Sequence, residues 1–136
     1  MTKITYIKCG GSYQLMEAYT VQTLMRPEAI IKAKRLTLTQ GGKLTIHEGY
    51  CWDGCSGIVD RKSNMRAGLG HDALYELMRK GLIPHHRWRE ADAGFAQILD
   101  EDGAWNFTIK IDMAGLRIAN GKYAHPKQRK KRFMAP

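Results

Sequence analysis

Apolar and polar residues alternate over the first sixty positions of the chain and then change period. "ITYIK", "YQLMEAYTVQT", "IIKAKRLTLTQ" and "KLTIHEGY" each alternate as half-buried strands do, and they are separated by Gly10-Gly11, Arg26-Pro27 and Gly41-Gly42. "LTLTQGGKLTI" carries the strongest hairpin signal, two alternating runs joined by a glycine turn. After Gly57 the spacing becomes helical. Ser63 or Asn64 caps a helix that runs to Lys80, Gly81 stands just past its end, and Pro84 marks the connection to the next. A second helix over 87–102 sets Trp88, Ala91, Phe95, Ile98 and Leu99 three and four apart and stops at Gly103. In "AWNFTIKIDMAGLRIANG", Phe107, Ile109 and Ile111 alternate like a strand, whereas Trp105, Ile109, Met113 and Leu116 fit a third helix, the reading adopted here. The pattern predicts an α+β fold, an N-terminal antiparallel β-sheet packed against a C-terminal helical hairpin plus a third helix.

Composition fixes the scale of that fold. At 136 residues, 43% of them hydrophobic, the chain is sized for one domain with a modest core. No apolar run approaches the roughly 18 residues of a membrane span, and "MTKITYIKCGG" lacks the apolar region of a secretory signal. The expectation is a protein with no transmembrane segment that is not exported by a signal peptide. Cys9, Cys51 and Cys55 are odd in number and too few to staple a small fold, so reduced thiols are expected. The net charge of +9 is concentrated at one end. Residues 122–136 hold six basic residues and no acid, which leaves +3 for residues 1–121. We divide the chain accordingly into a domain over 1–121 and a basic tail over 122–136. Lys127, Arg129, Lys130, Lys131 and Arg132 are the candidate phosphate-binding residues, for nucleic acid or an anionic membrane surface. A solvated, solubilising end explains the same run equally well.

The chemistry that stands out is "GHDALYELMRKG", residues 70–81. On a helix His71 and Tyr75 are four apart and share a face, and a second helix returning antiparallel brings Asp92 opposite them. A carboxylate that holds a neutral imidazole through one ring N–H leaves the other nitrogen free as a base near neutral pH. Asp72 points about 100° away from His71 and is available for another task. One such task is metal binding. In "CWDGCSG", residues 51–57, Gly54 and Gly57 let the backbone turn closely, and Asp53 and Ser56 add oxygens of the hard kind that calcium prefers. A cation there would polarise a carbonyl while the histidine delivers water.

"HDALY…AD..F", with His71, Asp72, Tyr75, Asp92 and Phe95, resembles the helix pair of calcium-dependent phospholipase A-two enzymes. It is most similar to the short, disulfide-free version in the parvovirus minor capsid protein. "YCWDGCSGIVDRKSNMRAGLGHDALYELMR" also resembles a family of small phage and prophage proteins that carry W-D-G-x-S-G, an R-A before H-D-x-L-Y, and a later R-x-x-A-D. That second resemblance spans roughly residues 47–103. The resemblance to the phospholipase implies His71 as general base, Asp92 as its orienting partner, Tyr75 as a support of Asp92, and Asp72 as a calcium ligand with Asp53, Gly54 and Ser56. It also implies a phospholipid substrate. The phage resemblance implies a location in the host cytoplasm or the virion, with other phage structural proteins as partners. "WDGCSG" departs from the usual calcium loop, and the strand-rich first half has no counterpart in the phospholipase.

Each feature has a second explanation. His71, Tyr75 and Asp92 are also what a buried hydrogen-bonded network would use to fix a helix pair, in a non-catalytic virion or assembly protein. Asp72 could pair with Arg66 or Arg79, and residues 53–57 could form an ordinary turn. His47, Cys51 and Cys55 suggest zinc by spacing but lack a fourth ligand, and His85 and His86 read as solvent-facing turn residues. Trp52, Trp88 and Trp105 read as core. No P-loop, G-x-S-x-G or G-x-G-x-x-G is present, so nucleotide and serine-hydrolase chemistry have no local support.

Overall fold

The computed structural model describes residues 3–52, 65–103 and 113. Within them, seven strands precede two helices: β1 (Tyr6–Cys9), β2 (Ser12–Leu15), β3 (Tyr19–Gln22), β4 (Ile31–Ala33), β5 (Leu36–Leu38), β6 (Lys43–Ile46), β7 (Cys51–Trp52), α1 (Met65–Arg79) and α2 (Trp88–Glu101). A 3₁₀ turn at His85–Arg87 leads into α2. The fold is α+β, with antiparallel strand pairing throughout.

The strands form two sheets where the alternation predicts one. One sheet has the order β1-β2-β7 and the other β3-β6-β5-β4. "YQLMEAYTVQT" is divided because Leu15 turns to the 49–50 segment: its N–H donates to the Tyr50 carbonyl and its carbonyl accepts from the Gly49 N–H, both at 2.8 Å. The chain then enters the second sheet at Tyr19. "IIKAKRLTLTQ" folds back on itself at Lys34-Arg35, with Arg35 at φ 61°. That conformation is unfavourable for a residue with a Cβ. Tertiary contacts hold it, because Arg35 Nη1 donates to the Glu48 carbonyl at 2.7 Å and the Arg35 carbonyl accepts from the His47 N–H at 2.8 Å. A turn without glycine or proline leaves no mark in the hydrophobic period.

The glycine hairpin forms as the pattern predicts. Leu38 pairs with Leu44 and Leu36 with Ile46, all four fully buried, while Thr37 and Thr45 lie on the other face. Burying each of these side chains stabilises the fold by about 2 kcal/mol. Gly42 takes φ 91°, and a Cβ there would lie 2.8 Å from the Thr23 carbonyl oxygen, so the turn admits no side chain.

α1 is the inner element. Twelve of its fifteen residues are buried, so it is covered on nearly every side, with α2 along one flank and β6 against another. Leu69, Ala73, Leu77 and Met78 join the sheet core, and Ala67 packs with Phe95, Ile98 and Leu99 of α2. Gly81 closes α1 at φ 74°, with its N–H on the Met78 carbonyl and the Leu82 N–H on the Leu77 carbonyl, the paired bonds of a Schellman turn. That turn sends the chain back antiparallel and sets the register between the helices. Met113 is helical and packs against the Phe95 cluster. The proposed Ser63 or Asn64 cap, the rest of the third helix and the tail lie outside the described residues. Among those residues no helix is long and apolar enough to cross a membrane.

Candidate active site

His71 and Tyr75 stand one turn apart on α1, and the hairpin brings Asp92 of α2 across to both. Asp92 Oδ1 accepts a hydrogen bond from His71 Nε2 at 2.6 Å and one from the Tyr75 hydroxyl at 2.7 Å. An ionised carboxylate only accepts, so the imidazole proton is assigned to Nε2, and Nδ1 is the nitrogen left as a base. The imidazole is clamped by rings on two sides, with its centroid 4.0 Å from Tyr75 and 5.4 Å from Phe95. Burial, reinforced by the neighbouring Asp92 charge, pushes the Tyr75 phenol well above its ordinary range, so it remains a proton donor to the carboxylate. Asp92 is 4% exposed, and its Oδ2 is buried with no hydrogen-bond partner among the described residues.

This network stands beside open space. His71 lines a cleft of about 350 Å³ between β3 and the helix pair. The walls are largely apolar, with Val21 and Leu24 on one side and Leu74, Phe95 and Ile98 on the other, and Arg26, Arg66, Glu90 and Glu101 add charge. A larger cleft of about 470 Å³ lies between residues 25–31 and the turn joining the helices, and it contains no member of the His71 network. Volume alone is no guide here, since the reactive groups line the smaller space.

Arg66 fixes the far end of the helix pair. From the first turn of α1 its Nε donates to both Asp102 oxygens at 3.1 and 3.0 Å, and Nη2 donates to Asp102 Oδ1 at 2.8 Å and Glu101 Oε2 at 2.9 Å. Nη1 donates to the Tyr19 hydroxyl of β3 at 2.8 Å. These bonds, those to Asp102 above all, stabilise the charged guanidinium against its burial. Arg66 is therefore committed to Asp102, Glu101 and Tyr19, which corrects the expectation that it could serve Asp72.

Asp72 faces elsewhere, as the helical rotation requires. Its Oδ2 accepts from the Tyr50 hydroxyl at 3.1 Å, immediately before β7, from which residues 53–57 leave. Burial first, then the charges of Asp72 and Glu76, raise the Tyr50 phenol well above its usual range, while Arg79 opposes them. These groups form a second polar neighbourhood on another side of α1. Asp53, Gly54 and Ser56 of the proposed calcium shell lie outside the described residues, as do Cys55 and the tail residues Lys127, Arg129, Lys130, Lys131 and Arg132. Asp72 is thus the one member of that shell among the described residues, where no group of three or more His, Cys, Asp or Glu converges on a metal position. His47 Nε2 instead bonds the Thr37 hydroxyl at 3.1 Å, and Cys51 donates to the Gly49 carbonyl.

Sequence reasoning places His71, Tyr75, Asp92 and Asp72 but misses Arg66 as a helix clamp, Tyr50 as the partner of Asp72, and β3 as the opposite wall of the cleft. The signal for Arg66 was its position one turn before His71, facing acids at the end of a returning helix. Tyr50 and β3 gave none, because both meet α1 only through tertiary packing. Compared with known proteins, the chain matches no family model, no curated protein and no solved structure, so the reading of this site rests on its residues and their geometry.

Proposed function

We propose that the protein is a small hydrolase that cleaves a carboxylic ester with water activated by His71. The observation that carries this is the 2.6 Å bond from His71 to a carboxylate also held by Tyr75, at the wall of an open cleft. His71 is the catalytic residue; Asp92 and Tyr75 are positioning residues. Nδ1 removes a proton from a water whose oxygen attacks the ester carbonyl carbon. The tetrahedral intermediate collapses with cleavage of the acyl C–O bond, and the imidazolium returns the proton to the leaving alkoxide, giving acid and alcohol. Asp92 opposes the positive charge that His71 carries between those transfers, and Tyr75 keeps the carboxylate from rotating away.

The local resemblance to calcium-dependent phospholipases supports a phospholipid ester as substrate, and the longer resemblance supports a phage or prophage origin. Calcium would be held by Asp72 with Asp53, Ser56 and the Gly54 carbonyl, where it would polarise the ester carbonyl. Asp72 shares its Oδ2 with Tyr50, so most of the six to eight oxygens such an ion takes would come from that loop. The competing reading is a non-catalytic phage assembly or virion protein, with the same three side chains as a helix clamp and the tail contacting nucleic acid or a partner subunit. Its support is the burial of Asp92 and Tyr75 between the helices.

The purified protein is to be assayed on a fluorogenic phospholipid and on p-nitrophenyl esters, with calcium and with chelator. On the hydrolase reading, His71→Gln loses 10² to 10⁴ of the rate while the melting temperature moves little. A wild-type protein inert under all these conditions, with His71→Gln acting only on thermal stability, leaves the assembly reading in its place.

A further inference from the structure

Two glycines lie where a helix ordinarily avoids them. Gly70 of α1 and Gly94 of α2 are helix-interior residues, where glycine is less stable than alanine. Elsewhere the fold explains its glycines. Gly42 and Gly49 have positive φ and would drive a Cβ into Thr23 or Arg35, and Gly81 and Gly103 close helices at positive φ. None of this holds at 70 and 94. Neither has positive φ, a Cβ on Gly94 would meet nothing within 4 Å, and one on Gly70 would sit in ordinary contact 3.8 Å from Ile98 Cδ1. Folding alone would accept alanine at both.

What the two positions share is the cleft. Both line it, Gly70 adjoins His71 in sequence, and Gly94 lies between Asp92 and Phe95. The missing methyl groups leave bare helix backbone beside the imidazole, and the remaining walls there are Leu74, Phe95 and Ile98. A cleft of about 350 Å³ holds roughly a dozen groups the size of a water molecule, at about 30 Å³ each. An ester group with an acyl chain of about eight carbons fills that number of positions.

We infer that Gly70 and Gly94 form an acyl slot: they determine specificity for an unbranched, medium-length acyl ester that lies against the helix backbone next to His71. The ester chemistry rests on the hydrolase reading; the slot itself rests on the glycines and the cleft. A soluble ester and a short-chain phospholipid present the same acyl group.

The full-length protein and its Gly94→Ala and Gly94→Leu variants are compared on p-nitrophenyl acetate, p-nitrophenyl octanoate and vesicles containing dioctanoyl phosphatidylcholine. Gly94→Ala is expected to melt about 3 °C higher, since alanine is the better helix former. Gly94→Leu is expected to lower the ratio of octanoyl to acetyl turnover at least tenfold. Faster cleavage of the soluble ester or of the lipid identifies the source of the acyl group, and either agrees with the slot. An unchanged chain-length ratio in Gly94→Leu overturns it. If the wild type cleaves neither ester, the hydrolase reading fails by itself and the slot is read by octanoate binding. Octanoate then raises the melting temperature of the wild type but not of Gly94→Leu, and no shift in the wild type overturns the slot as well.

Discussion

Replacing Asp92 by asparagine tests the site at its centre, because the change removes a charge at nearly constant volume. The wild-type Oδ1 accepts two hydrogen bonds, at 2.6 and 2.7 Å, from His71 and Tyr75. Bonds to a charged acceptor contribute about 1.5–3 kcal/mol each and neutral ones about 0.5–1.5, so the pair weakens by about 2 kcal/mol in all. Asparagine then has two choices. With its oxygen toward His71 and Tyr75, its NH₂ occupies the place of Oδ2, which is buried without a partner among the described residues, and an unsatisfied donor there costs about 1–3 kcal/mol. With its NH₂ toward them, His71 must accept at Nε2 and carry its proton on Nδ1, which removes the base. Either way stability falls by about 3 kcal/mol, or about 10 °C in melting temperature for a chain of this size. Ester turnover falls by 10² to 10⁴. Calorimetry, an ester assay and ¹⁵N NMR of the imidazole read the three consequences. A variant as stable as the wild type, with the His71 tautomer unchanged, would refute the reasoning, since it would mean that the carboxylate charge neither stabilises nor orients the ring.

Other predictions concern the surroundings of the site. Arg66→Met breaks a buried ion pair and leaves Asp102 without its fork, so urea denaturation should show a loss of about 3–5 kcal/mol. Arg66→Lys keeps the charge but loses the two-pronged geometry and should recover only part of it. Tyr75, Tyr50 and Tyr19 all have folded-state pKa values raised above the unfolded value of 10.0, chiefly by burial. Above pH 10 the unfolded chain releases protons that the folded one keeps. Stability is therefore fully present below pH 10 and lost as pH rises, with a slope of up to about 1.4 kcal/mol per pH unit for each phenol. Chemical denaturation from pH 9 to 11 checks this, and Tyr75→Phe should shallow the slope. Deleting residues 122–136 removes six positive charges and should abolish salt-sensitive binding to DNA or anionic vesicles. Binding that survives the deletion, with its salt dependence intact, would assign that role to residues 1–121.

The contact between His71 and Asp92 was legible because it depends on local rules. A four-residue helical spacing, a glycine stop at residue 81 and a short turn leave few ways for the second helix to return, and Asp92 falls opposite His71 in that register. The hairpin at Gly41-Gly42 was legible for the same reason. The division of the strands into two sheets was not, because Leu15 turns toward Gly49 and Tyr50, more than thirty residues away. The turn at Arg35 depends on Glu48 in the same way.

What the sequence by itself determined is which residues form each helix and the glycine hairpin, and which face of each helix carries the imidazole and the carboxylate. Those properties follow from backbone periodicity and from the few residues that start or stop it. Tertiary structure alone decided that the cleft lies between β3 and the helices, that Tyr50 takes Asp72, and that Arg66 joins both helix ends to the sheet. Each of these depends on where distant segments pack, and no spacing along the chain encodes that.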